Sequence, residues 1–550
     1  MSMQKTPVVF VSILVAAVGI TAVREAQPCG GFFCQLVPID QAGEQIIFRQ
    51  DGNMVTAVVL IQYAGEAQDF SWVVPVPGIP ELSTGSDLVF APLELATRPQ
   101  FVLERTDECR PPPPDFGPLF QGGSSDNNAS DDGVEILQTL SVGPFDVQIV
   151  TSSDPHALAT WLDDNGYDLT DRGRELIGPY VLEDKNFVAV RLRQDQGVGD
   201  IQPLIMRYES DEGPCIPIRL TAVAAQPDMG VLVWLVGSSR AVPVNYLHVT
   251  PNYTRLNWYA GSTNAYVTYQ GLITAAMDEA GGQGFATDYA GRSLNLLEQL
   301  PTVEAYPAEL TALAAIPDDA QFVAGLAGGF VLPNSRVTEI LRRALPLGEG
   351  DGEFIYQVPA LLRDAFTADQ LAAARSTIIL EVNNTIIEPL AETLAVLGGE
   401  PYVTRLYTTL SAEEMTVDPI FAFNPDLPDQ ALERRAKLDV DCGRSWSLTL
   451  GAGTGRAGER VIEGSGYPPG FFTAPPNIEQ DSVWRTEMTR ASGQPVLISQ
   501  KQFPLAQLGE DDTGVGGRVE CGAGTGLCGG GTAAAMLFTM LGLRLMRRRG

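Results

Sequence analysis

The sequence predicts an α+β fold: an antiparallel, β-rich N-terminal domain, a helical subdomain and a short β C-terminal part. Three observations carry that prediction. Short runs rich in Val, Ile, Phe and Tyr, punctuated by Gly, Asn and Asp, occupy much of residues 44–77 and 187–236. From about Asn264 to 400 the apolar period turns helical, with short Gly- and Pro-marked connections. Strand-like segments then return from 402 to 499. At 550 residues and 45% hydrophobic content, the chain is long enough for two or three domains around a sizeable core.

In order along the chain, the runs 45–49 and 55–63 flank Asp51-Gly52-Asn53, a hairpin signal. Residues 70–77 read as a strand whose Pro75 and Pro77 place it at a sheet edge. Residues 110–133 are Pro-rich and polar, as expected of a disordered surface loop. A strand at 145–151 precedes a helix that Ser153 or Asp154 caps, with Pro155 in its first turn and Asn165-Gly166 at its end. A second helix is expected at 171–182, then strands at 187–193, 204–208, 216–224 and 229–236, joined mostly by hairpins. Helices are expected at 265–280, 293–300, 307–315, 318–326, 335–344, 359–366 and 368–397. The last breaks near Asn383-Asn384 and opens with a Thr367/Gln370 capping box. Strands at 402–409, 445–449 and 460–463 follow, and a hairpin at 483–490 and 495–499 turns at Ser492-Gly493.

Both ends have the character of targeting segments. Lys5 precedes an apolar run at 8–23, the pattern of a secretory signal peptide, assigned here to 1–26. Pro28 before Cys29 argues against lipidation at that cysteine. At the other end, Cys528 and three glycines lead into a short apolar segment, Arg544 and Arg547-Arg548-Arg549. Basic residues at the far end would hold that end in the cytoplasm. This tail, 528–550, resembles the MYXO-CTERM sorting signal of myxobacteria and relatives, with Cys528 and Arg547, Arg548 and Arg549 as the matching residues. The resemblance implies membrane recognition through the tail, cleavage near the cysteine and delivery to the cell surface. Residues 501–527 read as a flexible, acidic, Gly-rich stalk. The domain plan is therefore 1–26 signal, 28–263 α+β domain, 264–400 helical subdomain, 401–500 returning β segments, stalk and tail.

The formal charge is −31, with 36 basic and 67 acidic residues, which argues against a nucleic-acid partner because the field repels phosphate. If Cys528 belongs to the sorting tail, Cys29, Cys34, Cys109, Cys215, Cys442 and Cys521 remain as disulfide candidates in an oxidising compartment. Cys29 and Cys34 can close a small local loop or pair with distant partners. With two histidines and no CxxC, no metal site and no cofactor are expected.

The blocks Cys29-Gly30-Gly31-Phe32-Phe33-Cys34, Asp40-Gln41-Ala42-Gly43-Glu44, Ile61-Gln62-Tyr63, and the run from Asp69 through Trp72 to Pro77 resemble a bacterial secreted family, domain of unknown function 2330. Further matches are Trp161-Leu162, Asn165-Gly166-Tyr167, Asp278-Glu279-Ala280-Gly281-Gly282, and Phe423-Asn424-Pro425-Asp426-Leu427-Pro428, so the resemblance spans about 28–445. It implies an exported, cysteine-containing bacterial protein and supplies no mechanism.

The chain contains no HExxH, G-x-S-x-G or Walker A motif. Asp278, Glu279 and Asp288, set around Gly281-Gly282 and Gly284, are the candidate carboxylates for a cation or sugar; a glycine-capped, solvated helix end is the favoured account of them. Trp72 with Phe70 and Tyr63 can form an aromatic platform, or one core face of a strand. His156 reads as a helix-start residue and His248 as a core or loop histidine. Together these readings imply an exported envelope or surface protein that binds or builds rather than catalyses. Its expected partners are the export and sorting machinery and an envelope component. A carboxylate-dependent extracytoplasmic hydrolase and an envelope assembly factor are the alternatives.

Overall fold

The structure is a computed structural model. It describes residues 41–500 apart from 62–69, 108–134, 168, 194–195, 197–199, 257, 259–260, 294–297, 330–331, 349, 442–444, 451–459 and 466–480. The expected signal peptide, Pro-rich loop, stalk and sorting tail lie outside the described residues. Among the described residues no helix is long and apolar enough to cross a membrane.

The first hairpin joins β1 (Gln41–Asp51) to β2 (Met54–Ile61), and Gly52 in its turn takes φ +61°, a conformation glycine adopts without strain. β3 (Ser71–Val76), β4 (Glu81–Thr84), α1 (Phe90–Thr97) and β5 (Gln100–Asp107) follow. β6 (Glu135–Val142) and β7 (Phe145–Thr151) form a second hairpin. α2 (Pro155–Asp164) is capped by Asp154 and α3 (Asp171–Leu182) by Thr170, so each helix starts at a side chain that satisfies a free N–H. β8 (Asn186–Leu192) and β9 (Leu204–Glu209) precede a one-turn helix α4 (Ile218–Thr221). Then come β10 (Ala225–Gly237), β11 (Arg240–Pro243), β12 (Leu247–Pro251), α5 (Gly261–Glu279) and β13 (Gly284–Arg292). The helical stretch contains α6 (Ala305–Ala314), α7 (Asp319–Ala327), α8 (Asn334–Ala344), α9 (Pro359–Ala365), α10 (Ala368–Val382) and α11 (Glu388–Leu397). The chain closes with β14 (Tyr402–Leu410), β15 (Phe421–Asn424), β16 (Glu433–Asp441), β17 (Ser445–Leu450), β18 (Arg460–Ser465), β19 (Val483–Met488) and β20 (Val496–Gln500).

Ten of these strands form one sheet in the order β20-β19-β12-β13-β14-β10-β1-β2-β9-β4. It is rich in antiparallel pairs, with β1 parallel to β10 and β12 parallel to β13. A four-stranded sheet, β3-β8-β7-β6, stacks on one face. β3 is an edge strand there, where Pro75 needs no ladder partner on its open side. A second four-stranded sheet, β18-β17-β16-β5, carries α5.

The strands of the large sheet alternate between two cores. Ile47, Val58, Trp234 and Val236 face α1 and the helical stretch, while Ile46, Phe48, Val59 and Val233 face the β3 sheet. Beyond that sheet, Val73, Val150 and Phe187 pack against Trp161, Leu162 and Ile177 of α2 and α3. Helices, large sheet, small sheet and helices thus lie in four layers.

Three sequence expectations fail here. Hairpins do not join β8, β9 and β10: β8 belongs to the small sheet, and β9 and β10 are separated in the large one by β1 and β2. Residues 216–224 are not a strand: Arg219 N and Nε both donate to Asp418, at 3.0 and 2.9 Å, and fix the α4 turn. Gly284–Arg292, inside the stretch read as helical, is a strand because it is clamped between β12 and β14. The expected helix at 293–300 is only partly described. The expected break at Asn383 is a π-turn over Asn383–Ile387, where Thr385 Oγ1 donates back to Glu381 O at 2.7 Å. The Thr367/Gln370 capping box is formed.

Candidate functional site

The three candidate carboxylates face three different ways. Asp278 and Glu279 end α5, and Gly281 and Gly282 follow at φ +82° and +77°, the glycine-capped helix end. Asp278 is exposed, and partial burial with the Asp228 charge raises its carboxyl. Glu279 Oε2 accepts from the backbone N–H groups of Ser482 and Val483, tying α5 to the start of β19. Asp288 is wholly buried. No shared pair of carboxylates results, and among the described residues no cluster of three or more ligating side chains is arranged to hold a metal.

Asp288 is the extra residue of a bulge: Thr287 pairs with Leu406 and Tyr289 with Arg405, leaving it between them. The bulge turns its side chain toward α5, where the Tyr269 hydroxyl donates to it. Arg405 Nε lies 3.1 Å from Asp288 Oδ2, and both side chains are fully buried. Arg405 also donates to Glu94 O at 2.9 Å and to the Tyr266 hydroxyl at 2.9 Å. Arg434 Nη2 donates to the carbonyls of Thr287 and Asp288, at 3.2 and 2.7 Å, which the bulge removes from the ladder. Burial pushes the Asp288 carboxyl up, and Arg405 opposes that rise. Arg405 is the centre of this buried hub, and its Nε meets Asp288 Oδ2 as an ion pair rather than through an aligned hydrogen bond.

His248 lies next to it in a chain of polar groups. Arg240 donates to Thr287 Oγ1 at 3.1 Å, Thr287 Oγ1 is 3.0 Å from His248 Nε2, and His248 Nδ1 is 3.6 Å from Glu487 Oε2. Arg485 in turn donates to Glu487. A hydroxyl, an imidazole and a carboxylate in that order form the skeleton of a general-base relay. Here an arginine closes each end, and Thr287 and Glu487 are buried, so the chain serves packing of β12, β13 and β19. His156 sits in the first turn of α2, its N–H donating to the Asp154 cap at 2.9 Å.

Trp72 is a core residue, 9% exposed, on the same strand face as Phe70 and Val74. Tyr63 lies outside the described residues. Cys215 is the one described cysteine, and it has no disulfide partner among the described residues. The other candidates, Cys29, Cys34, Cys109, Cys442 and Cys521, lie outside the described residues, as does Cys528.

Trp72 and Cys215 meet at a feature that the sequence reading missed. A cavity of about 40 Å³ lies between β1, β2 and β9 of the large sheet and β3 of the small one, and Glu44, Phe48, Ala57, Trp72, Tyr208 and Cys215 line it. Glu44 shares its strand face with Ile46 and Phe48, so its carboxyl points into the apolar space between the sheets. Glu44 Oε2 is buried and has no hydrogen-bond partner among the described residues. Burial alone pushes its pKa up to about 7. The signal that could have found it is parity: in Glu44-Gln45-Ile46-Ile47-Phe48 the acid occupies a core-facing position.

The fold and site define an α+β protein of four layers, with a lone buried acid between its two stacked sheets. The chain belongs to a family described as an uncharacterized protein conserved in bacteria, DUF2330, which matches residues 24–318. That span includes the Glu44 and Trp72 blocks and ends before the Phe423–Pro428 block (423–428). No curated protein and no solved structure matches the chain.

Proposed function

We propose that this chain is an exported protein of the cell envelope or surface that acts by binding or structure rather than by turnover. The observation that carries the reading is the pairing of two unlike ends. One is a Lys5-led apolar run of signal-peptide pattern; the other is a Cys528-led, arginine-terminated tail of sorting-signal pattern. An excess of acid over base, −31 overall, suits a solvated surface outside the cell. The interior favours binding over chemistry. Asp288 is consumed by Arg405 and Tyr269, His248 by Thr287 and Glu487, and Glu279 by the backbone of β19.

The test is the intact mass of native protein from separated cell fractions, purified without reductant. A surface-fraction mass lacking both ends is expected, with the tail cut near Cys528. A full-length mass that keeps Arg547, Arg548 and Arg549 would overturn the sorting step. Recovery from the cytoplasm would overturn export itself.

A further inference from the structure

We propose that the cavity between the two stacked sheets is a binding site for a small primary alkylammonium ion, with methylammonium as its size limit. The inference concerns the ligand alone and stands whether or not the chain is exported.

Four observations converge on this ligand. The first is the orphan acid: Glu44 Oε2 is buried, lines the cavity and has no partner among the described residues. Native proteins pair buried polar groups, so a lone carboxyl facing a cavity marks a place for a donor from outside the chain. The second is the sign of the charge. No Arg, Lys or His lines the cavity, so an anion meets no compensating group while a cation meets Glu44. Tyr208 and Cys215, the other titratable lining residues, are both pushed up by burial and stay neutral.

The third is the wall. Phe48, Trp72 and Tyr208 all line the space, and aromatic rings around a carboxylate are the surroundings that favour an organic ammonium. A metal ion is unsuited, since Ca²⁺ asks for six to eight oxygens and, beyond Glu44, the polar side chains of the wall are only the Tyr208 and Thr221 hydroxyls and the Cys215 thiol. The fourth is size. A single water needs roughly 10–15 Å³ and benzene occupies an engineered cavity of about 150 Å³, so about 40 Å³ suits a two-heavy-atom ion. Two segments that the sequence reading singled out for resemblance, ending in Glu44 and centred on Trp72, come together here from separate sheets.

The experiment is saturation-transfer NMR on the methyl signal of methylammonium chloride with the full chain, at fixed ionic strength. Transfer is expected at pH 8. At pH 5.5, where Glu44 holds its proton, it should fall by about tenfold or more. Glu44→Gln keeps the shape and removes the charge, so transfer should vanish with the fold intact. Ala57→Val fills the space and should abolish transfer while circular dichroism stays unchanged. Methanol, of similar size and no charge, should show none. Equal transfer to methanol, or transfer that persists in Glu44→Gln, would overturn the proposal. Absence of transfer at pH 8 would also overturn it, leaving the cavity to water.

Discussion

Asp288 and Glu44 are both buried acids on strands of the same sheet, yet their surroundings are opposite. Asp288 sits in a bulge, with a tyrosine hydroxyl on one oxygen and an arginine 3.1 Å from the other. Glu44 follows the register shift between Gln41 and Gly43 and sits in the regular part of β1, its neighbours on that face are Ile46 and Phe48, and Oε2 has no partner among the described residues. The difference teaches how the fold spends irregularity. Where the ladder is broken, β13 gains room for Asp288, and Arg434 takes up the carbonyls that lost their strand partners. Where the ladder is regular, strand alternation alone aims a carboxyl into an apolar layer and nothing nearby answers it. One acid holds the structure together, and the other is held in place by it.

The largest effect should come from breaking the ion-paired acid. Arg405→Met leaves Asp288 buried without its cation, which costs about 3–5 kcal/mol in comparable pairs. Urea denaturation should show a loss of that order. The double variant Arg405→Met/Asp288→Asn should recover part of it, because no bare charge then remains. Equal losses in the single and double variants would mean that Arg405 acts through packing over Trp234, whose ring lies 5.9 Å away, and not through charge.

The unsatisfied acid should respond with the opposite sign. Its folded pKa of about 7 lies above the ordinary 4.5, so ionisation is harder in the folded state. Stability from this group is full below pH 4.5, falls as pH rises toward about 7, and levels off beyond it. Glu44→Gln should therefore stabilise the protein at pH 8 by roughly 3 kcal/mol and change little at pH 4. A destabilised Glu44→Gln at pH 8 would show that the carboxylate has a partner in solution and would erase the contrast with Asp288.

Sequence periodicity made the α+β class legible, because alternation and helical period are local. The Asp51-Gly52-Asn53 hairpin, the Asp154 cap and the Thr367/Gln370 box were legible for the same reason. What escaped was set by distant chain. The residues 216–224 alternate like a strand, but Asp418 bends them into α4. β13 reads as a glycine-flanked gap between helices, and only its pairing with β14 makes it a strand. The parallel pairing of β5 with β16 joins residues more than 300 positions apart, beyond any local pattern. At the candidate site, Asp278, Glu279 and Asp288 looked clustered because they are near in sequence, yet the α5-to-β13 turn sends them to separate partners. Trp72 was open to either a platform or a core reading, and its meeting with Glu44 depends on how two sheets stack.

The smallest expected effect sharpens the comparison with a buried base. His248 is packed by Thr287 of β13, Glu487 and Arg485 of β19, and Arg240 of β11. Burial lowers its pKa, aided by the two arginines and opposed by Glu487. A group held below the ordinary 6.5 takes up its proton first in the unfolded chain, so its contribution is full above pH 6.5 and is lost as pH falls through that value. Glu44 and His248 thus pull in opposite directions over overlapping ranges, one losing stability upward and the other downward. With only two histidines in the chain, imidazole proton resonances separate them, and His156→Gln assigns the pair. The remaining signal should titrate at lower pH than an ordinary histidine does. A His248 resonance that titrates at or above 6.5 would mean that the Glu487 carboxylate outweighs burial. The Arg240–Thr287–His248–Glu487 chain would then be a charged ion pair rather than a neutral imidazole fixed by its neighbours.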